Sequence, residues 1–307
     1  MYTKKTVLYA KIESASGTDS TPTAAANAVM AFDVSIEPKP DMKERNPGNS
    51  DRSLHAQIRG KTSVEIKFNV ELKGSGSAGT APRWGALLRA CDRLETANAG
   101  TNVIYTPALT NETCTIWVNI DGILHKAVGC AGDCEIDLTS GDVPMLKFTM
   151  SGVYALATDS VIEAPTFDTT IPQIVKGTTT TFGSYAAIIE KISLKLGNSV
   201  VERTSLAAAE GILAFMVGNR APSGAMTCEA VLRATSNADF WSYFHSGTSK
   251  ALSMVLGATG GNIVTIAAPA CILGAPKYAD RDGLRTFELE FQLARSSGND
   301  EMTITLT

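Results

Sequence analysis

The segment Gly74–Arg83, GSGSAGTAPR, has the composition of a loop that cradles phosphate: Gly74, Gly76 and Gly79 let backbone N–H groups approach an anion, and a helix start follows. Nucleotide chemistry of that kind needs Gly-Lys-Ser/Thr at the helix start. This chain has Thr80-Ala81-Pro82-Arg83 there, so both the phosphate-binding lysine and the metal-binding hydroxyl are missing. Cys130 and Cys134 are the one close pair among six cysteines. Their C-x₃-C spacing, read as part of a Gly-rich turn, has no second ligand pair, and His55, His125 and His245 are scattered, which predicts packing rather than a metal site. His125 follows Asp121 in a hairpin, but no nucleophile–base spacing and no Gly-x-Ser-x-Gly elbow accompanies them. The expectation is a chain with no catalytic residue, no metal ligand and no cofactor.

The elements around the glycines are more informative. Val64, Ile66, Phe68, Val70 and Leu72 alternate without a break with Glu65, Lys67, Asn69 and Glu71, predicting a strand with one buried and one wet face. Pro82 suits a first helical turn, and Trp84, Leu87 and Leu88 recur at helical spacing. The unit is strand, glycine loop, short amphipathic helix. The 307 residues suffice for two domains of about 150 each. With 44% hydrophobic and 19% charged residues, frequent Thr and Ser and few helical windows, the composition is that of a mainly β protein. A net charge of −4 without a basic block argues against tight binding to nucleic acid or an anionic membrane. No apolar run approaches a signal-peptide core or the roughly 20 residues of a membrane span, so the chain is expected to fold in a cytosol with its cysteines as free thiols.

In chain order, residues 6–13 predict a first strand or arm and residues 17–28 a loop; Val29–Glu37 alternate and are expected to stop at Pro38 and Pro40. The polar segment Asp41–Gly60 is too long for a simple hairpin connection. It reads either as a disordered surface loop or as an arm. Folded back as a hairpin it spans about 33 Å, close to the ~38 Å diameter of a 150-residue domain. Short strands are predicted at 101–105, 114–120, 123–128, 133–138 and 145–150, with Asp121-Gly122 and Ser140-Gly141-Asp142 as hairpin turns. Residues 155–185, with four consecutive threonines and no amphipathic pattern, predict an extended linker.

The second half repeats the first. Val34–Arg45 aligns with Ile192–Arg203 without a gap, Ser35 on Ser193, Ile36 on Leu194 and Arg45 on Arg203. A strand ending at Leu232 stands for the one ending at Leu72, the helical segment 238–247 with Phe240, Trp241 and Phe244 for the Trp84 helix, and Phe287, Leu289 and Phe291 for Leu146, Phe148 and Met150. The expected architecture is mainly β: two tandem β-sandwich domains, each with a flanking α-helix, at residues 1–160 and 185–307, with a linker at 161–184. Two copies of one fold per chain let three chains fill a sixfold ring, and closure would bury the sheet edges.

Lys11-Ile12-Glu13 with Gly17-Thr18-Asp19, and Val70-Glu71-Leu72 with GSGSAGTAPRWGALLRACD, resemble the N-terminal half of major tail tube proteins of long-tailed bacteriophages with non-contractile tails. Gly197-Asn198-Ser199-Val200 through Arg203, Arg220-Ala221-Pro222-Ser223-Gly224, Asp280-Arg281-Asp282-Gly283 and Asn299-Asp300-Glu301 resemble the C-terminal half. The resemblance implies a structural virion protein whose homotrimeric, pseudo-hexameric rings stack into a tube that conducts double-stranded DNA without binding it specifically. It implies a tape measure protein and a tail terminator as partners, no membrane, and assembly in the host cytoplasm. It assigns contacts between rings to the N-terminal arm and to the segment Asp41–Gly60, within it Asp41, Lys43, Glu44, Arg45, Asn46, Asp51, Arg52 and Leu54, with the more apolar segment 204–222 as counterpart. If the opening strand lines the tube, Glu65, Lys67, Asn69 and Glu71 face the lumen; that face could equally meet a neighbouring domain or the outside. The competing architecture is a monomeric β-sandwich that binds or adheres. It would cluster exposed aromatics, whereas only 7% of residues are aromatic and Trp84, Trp117 and Trp241 lie in amphipathic elements.

Overall fold

The computed structural model describes all residues except 1, 3 and 236. The chain is mainly β, 52% strand and 6% helix, of the β-sandwich type. In the first half, β1 (Thr6–Ile12), one helical turn α1 (Ala24–Asn27) and the two-residue β2 (Ala28–Val29) precede a long hairpin of β3 (Ala31–Lys43) and β4 (Ile58–Glu71). The glycine loop leads into α2 (Gly85–Ala90), then β5 (Arg93–Asn98) pairs with β6 (Asn102–Pro107), and β7 (Cys114–Ile120), β8 (Ile123–Thr139) and β9 (Met145–Asp159) form a meander. The second half opens with β10 (Thr179–Phe182) and β11 (Ile189–Lys195), continues through a hairpin of β12 (Asn198–Thr204) and β13 (Ile212–Arg220), and passes into β14 (Ser223–Glu229). After α3 (Phe240–Ser246) come β15 (Lys250–Leu256), β16 (Val264–Leu273), β17 (Lys277–Arg281), β18 (Leu284–Ala294) and β19 (Thr303–Leu306).

Strand pairing makes the repeat explicit. The antiparallel order in the first half is β1-β7-β8-β9-β4-β3. In the second it is β10-β15-β16-β18-β14-β11, with each strand at the same place in chain order and the helix between the same two. The alternating residues of β4 are buried as expected: Val64, Ile66, Phe68 and Val70 meet Phe148 and Met150 of β9, with the Phe68 and Phe148 rings stacked at 5.4 Å. Each fully buried side chain of this size is worth about 1.5–3 kcal/mol. Trp84, Leu87 and Leu88 of the α2 segment close over this core, and Phe240 of α3 does so in the second half against Phe182 and Phe287.

Four expectations are corrected. Pro38 and Pro40 do not end β3, which pairs through them with Val64 and Thr62 of β4; β3 has no second partner among the described residues, and proline's missing N–H is tolerated on such an edge. The strands expected at 123–128 and 133–138 are one strand, β8, kinked by a register shift between Val128 and Ala131 where Gly129 takes φ +59°. Cys130 and Cys134 therefore sit within a strand rather than a turn, and all six cysteines are buried free thiols. Finally, β14 ends at Glu229, and Leu232 lies beyond it, exposed.

Candidate functional site

The halves join into one wall. Glu135–Thr139 of β8 pair with Lys191–Lys195 of β11, so eight strands run side by side in the order β3-β4-β9-β8-β11-β14-β18-β17. One face is core. The other carries the wet residues of every strand in cross-strand rows, such as Asn69, Lys147, Glu135, Lys195, Ser223 and Gln292. Glu65, Lys67, Asn69 and Glu71 all stand on this face. Its carboxylates include Glu37, Glu65, Glu71, Glu135, Asp137, Glu288 and Glu290, its cations Lys39, Lys67, Lys147, Lys191, Lys195, Lys277 and Arg281, and the two signs interleave. Lys39 and Lys67 flank Glu65 at 2.7 and 2.8 Å, Lys195 meets Glu135 at 3.3 Å, and Lys277 meets Glu290 at 2.8 Å. A groove of about 610 Å³, lined by Glu135, Lys195, Ser223, Gly274 and Gln292 among others, indents this face over β11, β14 and β18.

Hydrogen bonds from Lys39 and Lys67 hold the Glu65 carboxyl below its ordinary 4.5. A depressed carboxylate contributes stability that is complete above the ordinary value and is lost as pH falls through the lowered one. Glu65→Gln is therefore expected to cost about 0.5 kcal/mol at neutral pH. The deficit should vanish in acid, as read from denaturant midpoints across pH.

The long hairpin leaves the wall. Pairing of β4 with β9 stops at Ser63, so Ile58–Thr62 and their partners Pro40–Lys43 form a two-stranded ribbon past the sheet, topped by residues 44–57 without regular structure. Asp41 and Lys43 lie on the ribbon, paired at 2.7 Å; Glu44, Arg45, Asn46, Asp51, Arg52 and Leu54 lie exposed in the tip. Their counterparts in the second half behave differently. The hairpin β12–β13 folds down onto the first half, burying Ile212 and Phe215 against Ala131 and Val153, because its apolar residues have a face to cover there. Lys61 pairs with Glu202 and Arg59 with Glu210, which ties the base of the ribbon to this folded hairpin.

The glycine loop, the most chemistry-like stretch of the sequence, is a joint. The N–H of Gly74 donates to Asn262 Oδ1 at 2.8 Å and that of Gly76 to the Gly261 carbonyl at 3.0 Å. A Cβ on Gly74 would stand 2.1 Å from the Gly261 oxygen, so glycine is needed for close backbone approach between the halves. A further joint gathers Arg220, which donates to Asp92 Oδ2 at 2.9 Å, Asn299 Oδ1 at 2.7 Å, Glu301 Oε1 at 3.3 Å and the Ala108 carbonyl at 3.1 Å. Beside it, β6 pairs with β19, and the buried Arg93 donates to the Met302 carbonyl at 2.8 Å, burial lowering that guanidinium to about 10.

From sequence, only the polar residues of β4 are candidates to line a lumen; the charged rows on β3, β8, β11, β17 and β18 join them only in the fold. Their signal was there in Lys191, Ser193 and Lys195, and in Glu288, Glu290 and Gln292, both alternating polar sets. Among the described residues no group of three or more His, Cys, Asp or Glu side chains could hold a metal ion, and no helix is long and apolar enough to cross a membrane. His125 is partly buried, its pKa lowered by desolvation, while Asp121 accepts the Tyr2 backbone N–H at 2.6 Å and pairs with Lys5. Compared with known families, the chain matches the model described as phage tail tube protein over residues 3–293. A search of curated proteins finds no match.

Proposed function

The chain belongs to the phage tail tube protein family, and from that membership we propose that three copies close into a ring of six similar lobes, and that rings stack into the tube of a long, non-contractile tail through which the genome enters the host. It is a structural component of the virion tail. The observation that carries the ring is the eight-stranded wall, one face core and the other a mosaic of paired charges, ending in two edges that pair no further among the described residues. Closing such walls edge to edge removes the edges and leaves an open channel, as large barrels do.

Its wet face then lines the lumen, with Glu65, Lys67, Asn69 and Glu71 among the lining residues. A phosphate backbone binds by releasing counterions to free cations. Here most lysines already face carboxylates across the rows, so double-stranded DNA passes without being held. The ribbon and its tip, from Asp41 to Leu54, make the contact between rings: the ribbon runs on along the strands past the end of the wall, not out from its edge, which suits a neighbour above or below rather than beside. The repeat supports two lobes, residues 1–160 and a second that runs to 307; the expected boundary at 185 moves back to β10, which pairs with β15, so the connector is the stretch from 161 to 178. Tape measure and tail terminator proteins are the expected partners within and at the end of the tube. Assembly takes place in the host cytoplasm, and no cofactor or catalytic residue enters the mechanism.

Negative-stain imaging with native mass measurement tests both levels. Wild-type protein should give tubes or rings of three chains; six chains per ring, or monomers at every concentration, would defeat the ring. Deleting Glu44–Leu54 should leave folded rings that no longer stack, and normal tubes from that variant would defeat the arm.

A further inference from the structure

The repeat carries a residue-level template for the seam between subunits, because the chain already contains one such seam within itself. At the internal seam, β8 and β11 meet with Glu135 opposite Lys195, Ile136 opposite Leu194 and Asp137 opposite Ser193. Pairing registers identify the equivalents without reference to sequence similarity. β11 and β3 hold the same position against β14 and β4: Leu194 opposes Gly224 and Ile36 opposes Ile66, while Gly224 and Ile66 oppose Phe291 and Met150. Likewise the end of β8 and β17 both form the hairpin strand against β9 and β18, with Ile136 opposite Leu146 and Tyr278 opposite Phe287. In the repeat, then, β3 is the copy of β11 and β17 the copy of the end of β8. Among the described residues β3 pairs only with β4, and β17 only with β18.

We propose that β17 of one subunit pairs antiparallel with β3 of a second copy of this chain, with Lys277 opposite Glu37, Tyr278 opposite Ile36 and Ala279 opposite Ser35. This rests on the ring reading above and specifies its interface. Three features support the register. First, the ion pair is conserved with its signs exchanged on both strands: Glu135 with Lys195 inside the chain becomes Lys277 with Glu37 between chains. Second, Ile136 and Leu194 are fully buried at the internal seam, whereas Tyr278 is 56% exposed and Ile36 partly so, as expected of the same positions before closure. Third, at the internal seam the Leu196 N–H donates to the Cys134 carbonyl; the corresponding positions are Pro38 and Pro276, both without an N–H, so the two strands lose their donors at one step and the seam has a defined end. Pro38 and Pro40 also discourage pairing of β3 with any other edge.

Charge reversal tests the register. Glu37→Lys and Lys277→Glu, each alone, place like charges opposite one another at every seam and should raise the protein concentration at which rings form about fivefold or more. The double variant Glu37→Lys/Lys277→Glu should restore it. A second measurement does not depend on tolerance of those charges. Ser35→Cys/Ala279→Cys puts thiols on residues whose Cα atoms would lie about 4.5–5.5 Å apart, within disulfide reach, and mild oxidation should yield covalent species ending at three chains in denaturing electrophoresis. If wild-type rings form but single reversals assemble normally, or the cysteine pair gives no cross-link, the seam is overturned while the ring stands. Wild-type protein that never leaves the monomer overturns the ring itself.

Discussion

Arg220→Ala is expected to destabilise the fold by about 3–5 kcal/mol, the usual cost of removing one partner from a buried charge cluster. Arg220 is the hub of the joint beside β6 and β19, where Asp92 and Glu301 approach one guanidinium from opposite halves of the chain. Burial already raises the Asp92 carboxyl, with Arg220 opposing that shift. Without the arginine, the desolvated Asp92 carboxyl loses the cation that opposes its shift and is driven further toward its protonated form. A raised folded-state pKa favours the folded chain at low pH and loses that contribution as pH rises through it. The deficit of the variant should accordingly be largest at neutral pH and shrink through the carboxylate range. Denaturant titrations at several pH values read both features, and a pH-independent deficit would indicate lost packing instead of unpaired charge. Arg220→Lys should recover only part, since an ammonium cannot serve Asp92, Asn299 and Glu301 in the planar fork that Arg220 provides.

That cluster also shows what the sequence reveals and what it withholds. Cys91-Asp92, Arg220-Ala221-Pro222 and Asn299-Asp300-Glu301 stand out as separate turns, far apart in the chain; only folding brings them to one guanidinium. The strand from Val64 to Leu72 was legible because its period of two reports directly on one wet and one dry face. The repeat was legible in order and in the register of Ile36 on Leu194, which strand pairing reproduces. Where local rules misled, a tertiary fact overrode them. Proline excludes a central strand, yet β3 is an edge; a glycine-rich loop before a helix suggests an anion, yet its N–H groups are taken by Asn262 and Gly261, over 180 residues away. The folding-down of β12–β13 was foreshadowed by Ile212, Phe215 and Val217, residues too apolar for a solvated arm.

Glu13→Ala should have an effect of comparable size, about 3 kcal/mol or more, for a different reason. Glu13 is 8% exposed, and its carboxyl oxygens accept from uncharged donors: the N–H groups of Gly17 and Gly129, each at 2.7 Å, and the hydroxyls of Thr113 and Thr115 at 2.7 and 2.8 Å. The two glycines take positive φ and lie against the backbone of Leu213 and Ala214 in β13. One side chain thus fastens the end of β1, the start of β7, the kink in β8 and, through the glycines, the hairpin from the second half. Truncation orphans a buried backbone donor at Gly129 and a partly buried one at Gly17, neither of which can rotate away, whereas the threonine hydroxyls can turn to other acceptors. Glu13→Gln should be milder, because one amide oxygen still accepts while the NH₂ opposes a donor. Amide hydrogen exchange separates the outcomes: Glu13→Ala should accelerate exchange at Gly17, Gly129 and along β13, and Glu13→Gln at only part of that set. Unchanged protection of β13 in Glu13→Ala would mean that the hairpin is held by Ile212 and Phe215 alone, and that the buried carboxyl serves the first half only.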